Sequence, residues 1–547
     1  MKQKIVELLH LKLKIPKEEI EKLIEIPPNY EMGDYAFPCF VLSRKLKKNP
    51  NEIALELAKK LKTKDFEKVE SKGPYVNFFV NKKEFVKNMF AEASSENFGR
   101  GKQGEKILVE HTSVNPNASP HVGRARNSII GDSIVRILKF RGNKVETHYY
   151  VNDVSKQIAM LALEFDPKDT FDKMLGNYMR VSKKVEQNPK LEKKVFELLE
   201  KFESGDKKVV DIFKKIVNTA VDGQKRIFSK FGIEFDYFDY ESEYLGKFSK
   251  ETLKKLEATG NLFEDKEGRK VIDFKDTSLV RKMRSPVFVL ARSNGTGLYG
   301  LRDIAYTMEK IKHGRNIIVL GEDQKLYFEQ ICESLKLLNS KCPEVVHYSF
   351  VLIQDNGKAK KMATRRGEVV LLEEFLKEAY AKAKSEIDKR KTKGDAEKVA
   401  IGAIKYAMLR NDNDKNIIFS WKSSLNFEGE SGPYLQYSYA RASSIVKKSK
   451  VKKGKLKIPE KISDSEFKLI KKIAEFPEIV SRAEKNLSPS LIANYSFSLA
   501  QIFNEFYHSS HVIGDENELF KLKLVEAFRI AMKNSLYLLG IEVMDEM

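Results

Sequence analysis

Apolar positions along this 547-residue chain recur at two spacings, and the switches between them mark out its parts. Helical spacing covers Ile5 to Leu13, Ile20 to Ile24 and Ile53 to Leu61, and a strand-like run, Gly73-Pro-Tyr-Val-Asn-Phe-Phe-Val80, follows. Together they predict an N-terminal α+β unit, closed by the polar, glycine-bearing stretch Glu96 to Gln103. From Lys106 strand and helix patterns alternate: a strand at Ile107–Glu110, a helix from His121 with Ile130, Ile134 and Leu138 on one face, and a strand at Lys144–Val151. Further strands are expected at Val287–Ala291, Asn316–Gly321 and Val345–Ile353, with helices at Asp303–Lys312 and Lys325–Leu338. This is the pattern of two βαβ halves of one parallel sheet, interrupted by a charged, mostly helical insertion at about 152–285. From about residue 370 only helix signals remain, and residues 463–547 read as an amphipathic helix bundle.

The expected fold is therefore multidomain α/β. An α+β domain at 1–103 precedes a Rossmann-type parallel-sheet domain at 104–380, and an all-α helix bundle occupies 381–547. Hydrophobic residues make up 41% of the chain, enough for sizeable cores and against general disorder. Lys and Arg total 99 against 78 Asp and Glu, a net charge of +21 that would attract a polyanion such as nucleic acid. Lys447 to Lys457 is a basic loop, read first as a solvated linker. The three cysteines, Cys39, Cys332 and Cys342, have no CxxC spacing and no histidine cluster, so free thiols in a reducing cytosol are expected and zinc is not. No apolar run approaches a membrane span, and charges interrupt the first residues too often for a signal peptide; a soluble cytoplasmic protein is expected.

Three groups of residues carry candidate chemistry. His121-Val-Gly-Arg124 opens a helix just after a strand, where open parallel sheets bind nucleotides. Gly123 permits close backbone approach, the helix start favours phosphate, and His121 and Arg124 add donors. A cationic loop about 240 residues later, Lys358-Ala-Lys-Lys-Met-Ala-Thr-Arg-Arg-Gly367, can close over a triphosphate; Lys358, Lys360, Lys361 and Met362 are its candidate contacts. Glu110, Asn115, Tyr299, Asp303 and Gln324 form the third group: two carboxylates with amides and an aromatic suit a guanidinium. Taken singly, each has a plainer role as a cap, a packing residue or an exposed charge. Leu425 to Tyr437, with its glycines, proline and tyrosines, reads as a structured turn into a helix.

With these motifs in order, the chain resembles the arginyl-tRNA synthetases, a family of class I aminoacyl-tRNA synthetases, over essentially its whole length. The stretches that carry the resemblance are Val109 to Asp132, Tyr299-Gly-Leu-Arg-Asp303, Lys361 to Gly367, Phe427 to Tyr437, and Phe506-Tyr-His with Leu538-Leu-Gly-Ile-Glu542. The Glu-His-Thr-Ser-Val-Asn form is similar to archaeal members. The resemblance implies attachment of L-arginine to tRNA-Arg with ATP and Mg2+ through an arginyl-adenylate, with tRNA present for activation, by a monomer. His121, Gly123 and Arg124 fall on the first, third and fourth positions of the HIGH signature, and Lys361 to Arg365 fall on KMSKS with Thr364 in place of its second lysine. His121, Gly123, Arg124 and Lys361 are then the catalytic candidates. Arginine recognition maps onto the third group, and tRNA contacts onto Tyr75 and Asn77 of the N-terminal module and Arg441 of the anticodon-binding bundle. Arg124 departs from the usual histidine, being longer and always charged. The alternative reading is a tRNA-binding paralogue impaired in catalysis by that residue.

Overall fold

The structure, a computed structural model, describes residues 2–25, 27, 32–61, 64–112, 114–117, 119–355, 358–361, 370–451, 454 and 456–547. Two compact units divide the chain: Met1–Phe98 with Lys448–Ala474 and Glu505–Ile530, and Gly99–Lys447 with Glu475–Asn504 and Ala531–Met547.

In the first unit, β1 (Tyr35–Pro38), β2 (Phe66–Lys72) and β3 (Tyr75–Val80) form an antiparallel sheet in the order β1-β3-β2. The Gly73-Pro74 turn joins β2 to β3, with Gly73 at φ 58°, a conformation that favours glycine. Val76, Phe78 and Val80 alternate into the core, as a strand with one buried face requires. The helix Pro50–Lys60 starts where Asn49 accepts the Asn51 N–H at 2.9 Å and buries Ile53, Ala54, Leu57 and Ala58 at helical spacing.

The second unit is built on five parallel strands. The chain makes β4 (Lys106–Glu110), β5 (Lys144–Val151) and β6 (Tyr237–Tyr240), and then an antiparallel trio, β7 (Leu262–Glu264), β8 (Lys270–Asp273) and β9 (Val287–Ala291). It returns to the parallel sheet with β10 (Arg315–Gly321) and β11 (Glu344–Tyr348), giving the order β11-β10-β4-β5-β6. The strand order reverses between β4 and β10, where such sheets bind ligands beyond their carboxyl ends.

Three expectations change here. Val287–Ala291 is a strand, but it belongs to the small antiparallel sheet, because its neighbours in space are the insertion's own hairpin. The insertion is not only helical: after the helices Lys156–Leu163, Phe171–Gln187, Pro189–Glu203 and Lys207–Lys230 it supplies β6 to the main sheet. The run Val345–Ile353 splits after Tyr348, and β12 (Val351–Asp355) joins β13 (Lys358–Lys361) and β14 (Ile417–Phe419) in a separate sheet, so the region beyond 370 contains a short strand as well as helices.

The helix Val122–Phe140 runs along the sheet with most of its surface buried. Gly131 lies where a Cβ would meet the His111 ring at 2.2 Å, so only glycine lets this helix sit so close to the loop after β4. Arg126 on the same helix is fully buried, and its guanidinium donates to the carbonyls of Ser349 (2.7 Å), Lys415 (2.7 Å) and Asp412 (3.2 Å). Asn127 donates to Val319 O of β10 at 2.9 Å and accepts from the Thr112 N–H at 2.7 Å. At the far end the Ser133 hydroxyl donates to Leu538 O at 2.8 Å. The turn-and-helix segment around Gly-Pro-Tyr-Leu-Gln-Tyr437 is a packing device. Gly432 rests against the carbonyl of Gly402, 2.1 Å from where a Cβ would be, and Gln436 donates to Lys398 O and Glu542 O.

Cys332 and Cys342 are joined by a disulfide with Cα atoms 5.2 Å apart, which corrects the expectation of three free thiols. The chain turns back at Asn339 (φ 52°) after the helix Lys325–Leu337 and brings the two together; Cys39 is free and buried. No helix among the described residues is long and apolar enough to cross a membrane.

Candidate active site

Two sides of a cleft are laid out at the carboxyl ends of the parallel strands. One side is acidic and aromatic. The helix Tyr299–Lys310 presents Asp303, Tyr306 and Lys310 at helical spacing, one stripe of its surface. Asp303 accepts the Tyr150 hydroxyl at 2.9 Å on one oxygen and the Tyr327 hydroxyl on the other. Burial pushes its carboxyl up to about 6, against the pull of those two hydroxyls. Tyr306 donates to Asp239 at 2.8 Å, and His148 Nδ1 lies 2.8 Å from the same oxygen. Tyr150 stacks on Tyr306 with centroids 4.5 Å apart, and Tyr299 leans on Tyr327 at 5.2 Å. Phenol rings and carboxylates together make a surface that a planar cation can both stack on and hydrogen-bond to.

Glu110, at the end of β4, is buried and its carboxylate is taken by the ammonium of Lys310. It is therefore part of the acidic wall, but with its own internal counter-ion. Arg302 likewise pairs with buried Glu241, Nε to Oε1 at 2.6 Å, and burial raises the Glu241 carboxyl despite that partner. Tyr299 is 54% exposed and stands at the open side of the pocket. Gln324 ends the turn Glu322–Gln324 after β10, and its side-chain oxygen is buried without a hydrogen-bond partner. Asn115 lies in the loop after β4, its carbonyl held by Gln224 Nε2 at 3.1 Å, and it borders a separate cavity beyond β5. Sequence reasoning missed Tyr150, Tyr327, Tyr306 and Lys310. The stripe Asp303, Tyr306, Lys310 was the available signal.

The other side is the start of the helix Val122–Phe140. His121 is its N-cap, and no side chain caps the first turn. His121 Nδ1 is buried and unpartnered, and burial, with the charge of Arg124, lowers the imidazole to about 4, so it is neutral near pH 7. Gly123 lies in the first turn. Arg124 reaches across the switch point, its Nη2 3.5 Å from Asp323 in the turn after β10. An unpaired helix start, a neutral donor and a flanking guanidinium suit a polyphosphate.

The backbone of Lys358, Lys360 and Lys361 forms β13, paired antiparallel with β12. Met362 and the rest of the cationic loop to 369 lie outside the described residues. Beyond it, Val122 N–H donates to Val370 O at 3.0 Å and Leu372 N–H donates to Pro120 O at 2.8 Å, so the chain leaving that loop is fastened beside His121.

The three residues expected to touch RNA fare differently. Tyr75 is half-buried on β3 with its ring 5.9 Å from Phe40. Asn77, its neighbour but one on β3, is 3% exposed. Arg441 donates to Asn504 Oδ1 at 2.6 Å and lies over the Tyr437 ring at 4.8 Å, while Asn504 donates to the Tyr434 hydroxyl at 2.9 Å. These contacts tie two helices together.

A parallel sheet with this order, a signature histidine capping the helix at its switch point, and Val370 and Leu371 held beside that histidine are the marks of a class I aminoacyl-tRNA synthetase. Residues 86–421 match the family model described as tRNA synthetases class I (R), catalytic domain, residues 1–80 the arginyl tRNA synthetase N terminal domain, and residues 435–547 the DALR anticodon binding domain. The chain belongs to the arginyl-tRNA synthetases, and arginine–tRNA ligation is its activity. It is 37% identical to the arginine–tRNA ligase of Methanocaldococcus jannaschii, with 97% of each chain covered, and 33% identical to that of Clostridium acetobutylicum, with 100% of each covered. Among solved structures it superposes on Thermus thermophilus arginyl-tRNA synthetase with a TM-score of 0.81 at 25% identity, over 100% of this chain and 99% of that one. The Plasmodium falciparum arginyl-tRNA synthetase, at 20% identity and a TM-score of 0.79 over the same shares, has the same fold.

Proposed function

We infer that the ligation runs through arginyl-adenylate, formed when the arginine carboxylate attacks the α-phosphorus of Mg-ATP and pyrophosphate leaves; a terminal ribose hydroxyl of tRNA-Arg then takes the arginyl group and releases AMP. The observation that carries this reading is Asp303, a buried carboxylate held by two phenol hydroxyls in an aromatic wall that feels the charge of Glu110. Asp303 pairs with the guanidinium, Tyr299 and Tyr327 shape its entry, and Gln324 offers an unpartnered acceptor. Glu110 acts through Lys310, and Asn115 is proposed to complete the arginine contacts from the loop after β4. His121, Gly123 and Arg124 hold the triphosphate, with Lys358, Lys360, Lys361 and Met362 closing over it. The substrate carboxylate is already ionised at neutral pH, so no general base is needed; positioning and charge stabilisation do the chemistry. Magnesium enters as part of the nucleotide substrate, and among the described residues no His, Cys, Asp and Glu trio is arranged to hold a metal. Tyr75 and Asn77 are the proposed tRNA contacts of the N-terminal module, and Arg441 that of the anticodon-binding bundle, where it also ties two helices together. The proposed modules are 1–103, 104–380 and 381–547, in a monomeric cytoplasmic enzyme.

ATP–pyrophosphate exchange tests this. Exchange is expected with arginine, dependent on tRNA; none with or without tRNA, alongside intact tRNA binding, would instead identify a paralogue disabled at Arg124. The acid pKa gives a second expectation. With the Asp303 carboxyl raised to about 6 by burial, lowering pH through 6 protonates it and removes the charge that pairs with the guanidinium. The arginine KM should rise by roughly tenfold per pH unit below that point, while the neutral His121 does not titrate there. A flat arginine KM between pH 7 and pH 5 would count against Asp303.

A further inference from the structure

Well away from the reacting end of the helix Val122–Phe140, a charged cluster is packed into the interior that no step described above uses. Asp132 comes eleven residues after the N-cap His121, which puts it about three turns and ~16 Å further along and on nearly the same face. One of its oxygens, Oδ2, accepts from Arg136 Nε at 2.9 Å and from the ammonium of Lys405 at 3.2 Å. Lys405 belongs to the helix Ala396–Leu409 and is wholly buried. Burial lowers its pKa, with Asp132 pulling the other way. Gly540 closes over the cluster: it turns the chain after Leu538 with φ 65°, and a Cβ there would lie 2.7 Å from Asp132 Oδ2 and nearer still to the Lys405 ammonium. Ser133 donates to Leu538 O at 2.8 Å and Arg136 Nη2 to Gly232 O at 2.7 Å, so this part of the helix is gripped from several sides.

We propose that Asp132 and Lys405 are positioning residues for the nucleotide: their pairing fixes where His121 stands relative to Val370 and Leu372, the residues that follow the cationic loop. The connection between the two places is short and stiff. Val370 and Leu372 are fastened to the backbone of Val122 and Pro120, and there the helix Leu372–Arg390 begins. That helix packs along Ala396–Leu409, which in turn lies against Val122–Phe140. The backbone bonds around His121 hold one end of this frame, and the Asp132–Lys405 pair holds the other. A buried ion pair is a poor source of stability, since apolar side chains of similar volume serve as well; its best-attested use is to fix a register. Two cations share one carboxylate oxygen here, which leaves the cluster net positive and favours the register role over a purely stabilising one. The reaction needs its phosphate contacts placed to within about an ångström. The proposal rests on the ligase reading given above.

ATP–pyrophosphate exchange with arginine and tRNA tests it, with rates taken per folded molecule from unfolding curves. Asp132→Asn should lower kcat by about tenfold or more while the arginine and ATP KM stay within about threefold, because a small slip of the helix weakens contacts at the reacting phosphate more than ground-state binding. Asp132→Asn combined with Lys405→Gln replaces the pair by two amides that can still hydrogen-bond, and it should return kcat to within about threefold of wild type. A protein that had only lost stability would show neither the split between kcat and KM nor the recovery. Gly540→Ala keeps every charge and wedges a methyl against the pair; it should lower kcat by about fivefold, and it carries the test if Asp132→Asn does not fold. Unchanged kcat in Asp132→Asn or, where that variant does not fold, in Gly540→Ala overturns the proposal, as does a double variant no faster than Asp132→Asn alone. Absence of exchange in the wild type would instead remove the ligase reading, so the two failures are distinct.

Discussion

Asp303→Asn raises the arginine KM by about a hundredfold while the ATP KM stays within about twofold, an order of magnitude taken from truncated buried charge pairs. The physical case starts from the two phenols. Tyr150 and Tyr327 hold the carboxylate in place before any ligand arrives, so pairing with a guanidinium costs little reorganisation. Asparagine keeps the shape and one acceptor but loses the charge, and it turns an N–H₂ toward a hydroxyl that was donating. The guanidinium lies at the far end of arginine from the reacting carboxylate, so its contact is made equally in the ground and transition states and appears in KM more than in kcat. Glu110 does not substitute, because Lys310 already neutralises it. Steady-state kinetics with each substrate varied in turn decides the matter; an unaltered arginine KM would take Asp303 out of the pocket.

The second large effect falls on stability. Arg126→Met lowers stability by about 3 kcal/mol or more, because it strands buried polar groups rather than merely removing a charge. The guanidinium is fully buried and satisfies the carbonyls of Ser349, Asp412 and Lys415, which belong to segments more than 200 residues away along the chain. Burial lowers its pKa to about 10, still well above neutrality, so it remains charged while it serves them. Methionine fills much of the volume but offers no donor, so the carbonyl of buried Ser349 loses its partner and Lys415 O must turn to water, while Asp412 O keeps the Lys415 N–H at 3.1 Å. Thermal and denaturant unfolding of the variant measure the loss; a melting midpoint within a degree of wild type would show that these hydrogen bonds contribute nothing net.

The pattern of apolar runs was enough to find β4, β5 and β10, the helix from His121, and the helices at 299–310 and 325–337. It could not assign partners. Val287–Ala291 is apolar whether it pairs in a parallel sheet or in an antiparallel hairpin, and only the fold decides. Tyr237-Phe-Asp-Tyr240 escaped notice as a strand because, at the sheet's edge, it is short and half-exposed. Ile417–Phe419 is only three residues long and sits amid helix signals. The same limit applies to the site. Residue types suggested acids for a guanidinium, yet the sequence could not reveal that Glu110 was already engaged 200 positions away by Lys310, or that two tyrosines from different elements converge on Asp303. Cys332 and Cys342 are ten residues apart, and a turn rather than a motif brings them together.

The hydroxyl of Ser133 bonds to the carbonyl of Leu538, a separation of 405 residues, and Gln436 bonds to the carbonyl of Glu542. During synthesis the helices of the insertion, whose partners are near in sequence, can assemble while the ribosome is still working. The helix that starts at His121 must wait for Leu538 to be made before its distal end finds its seat. Catalytic competence is thus a late event in the life of each newly made chain, gained only after residues 538–542 have followed the catalytic helix by some 400 positions.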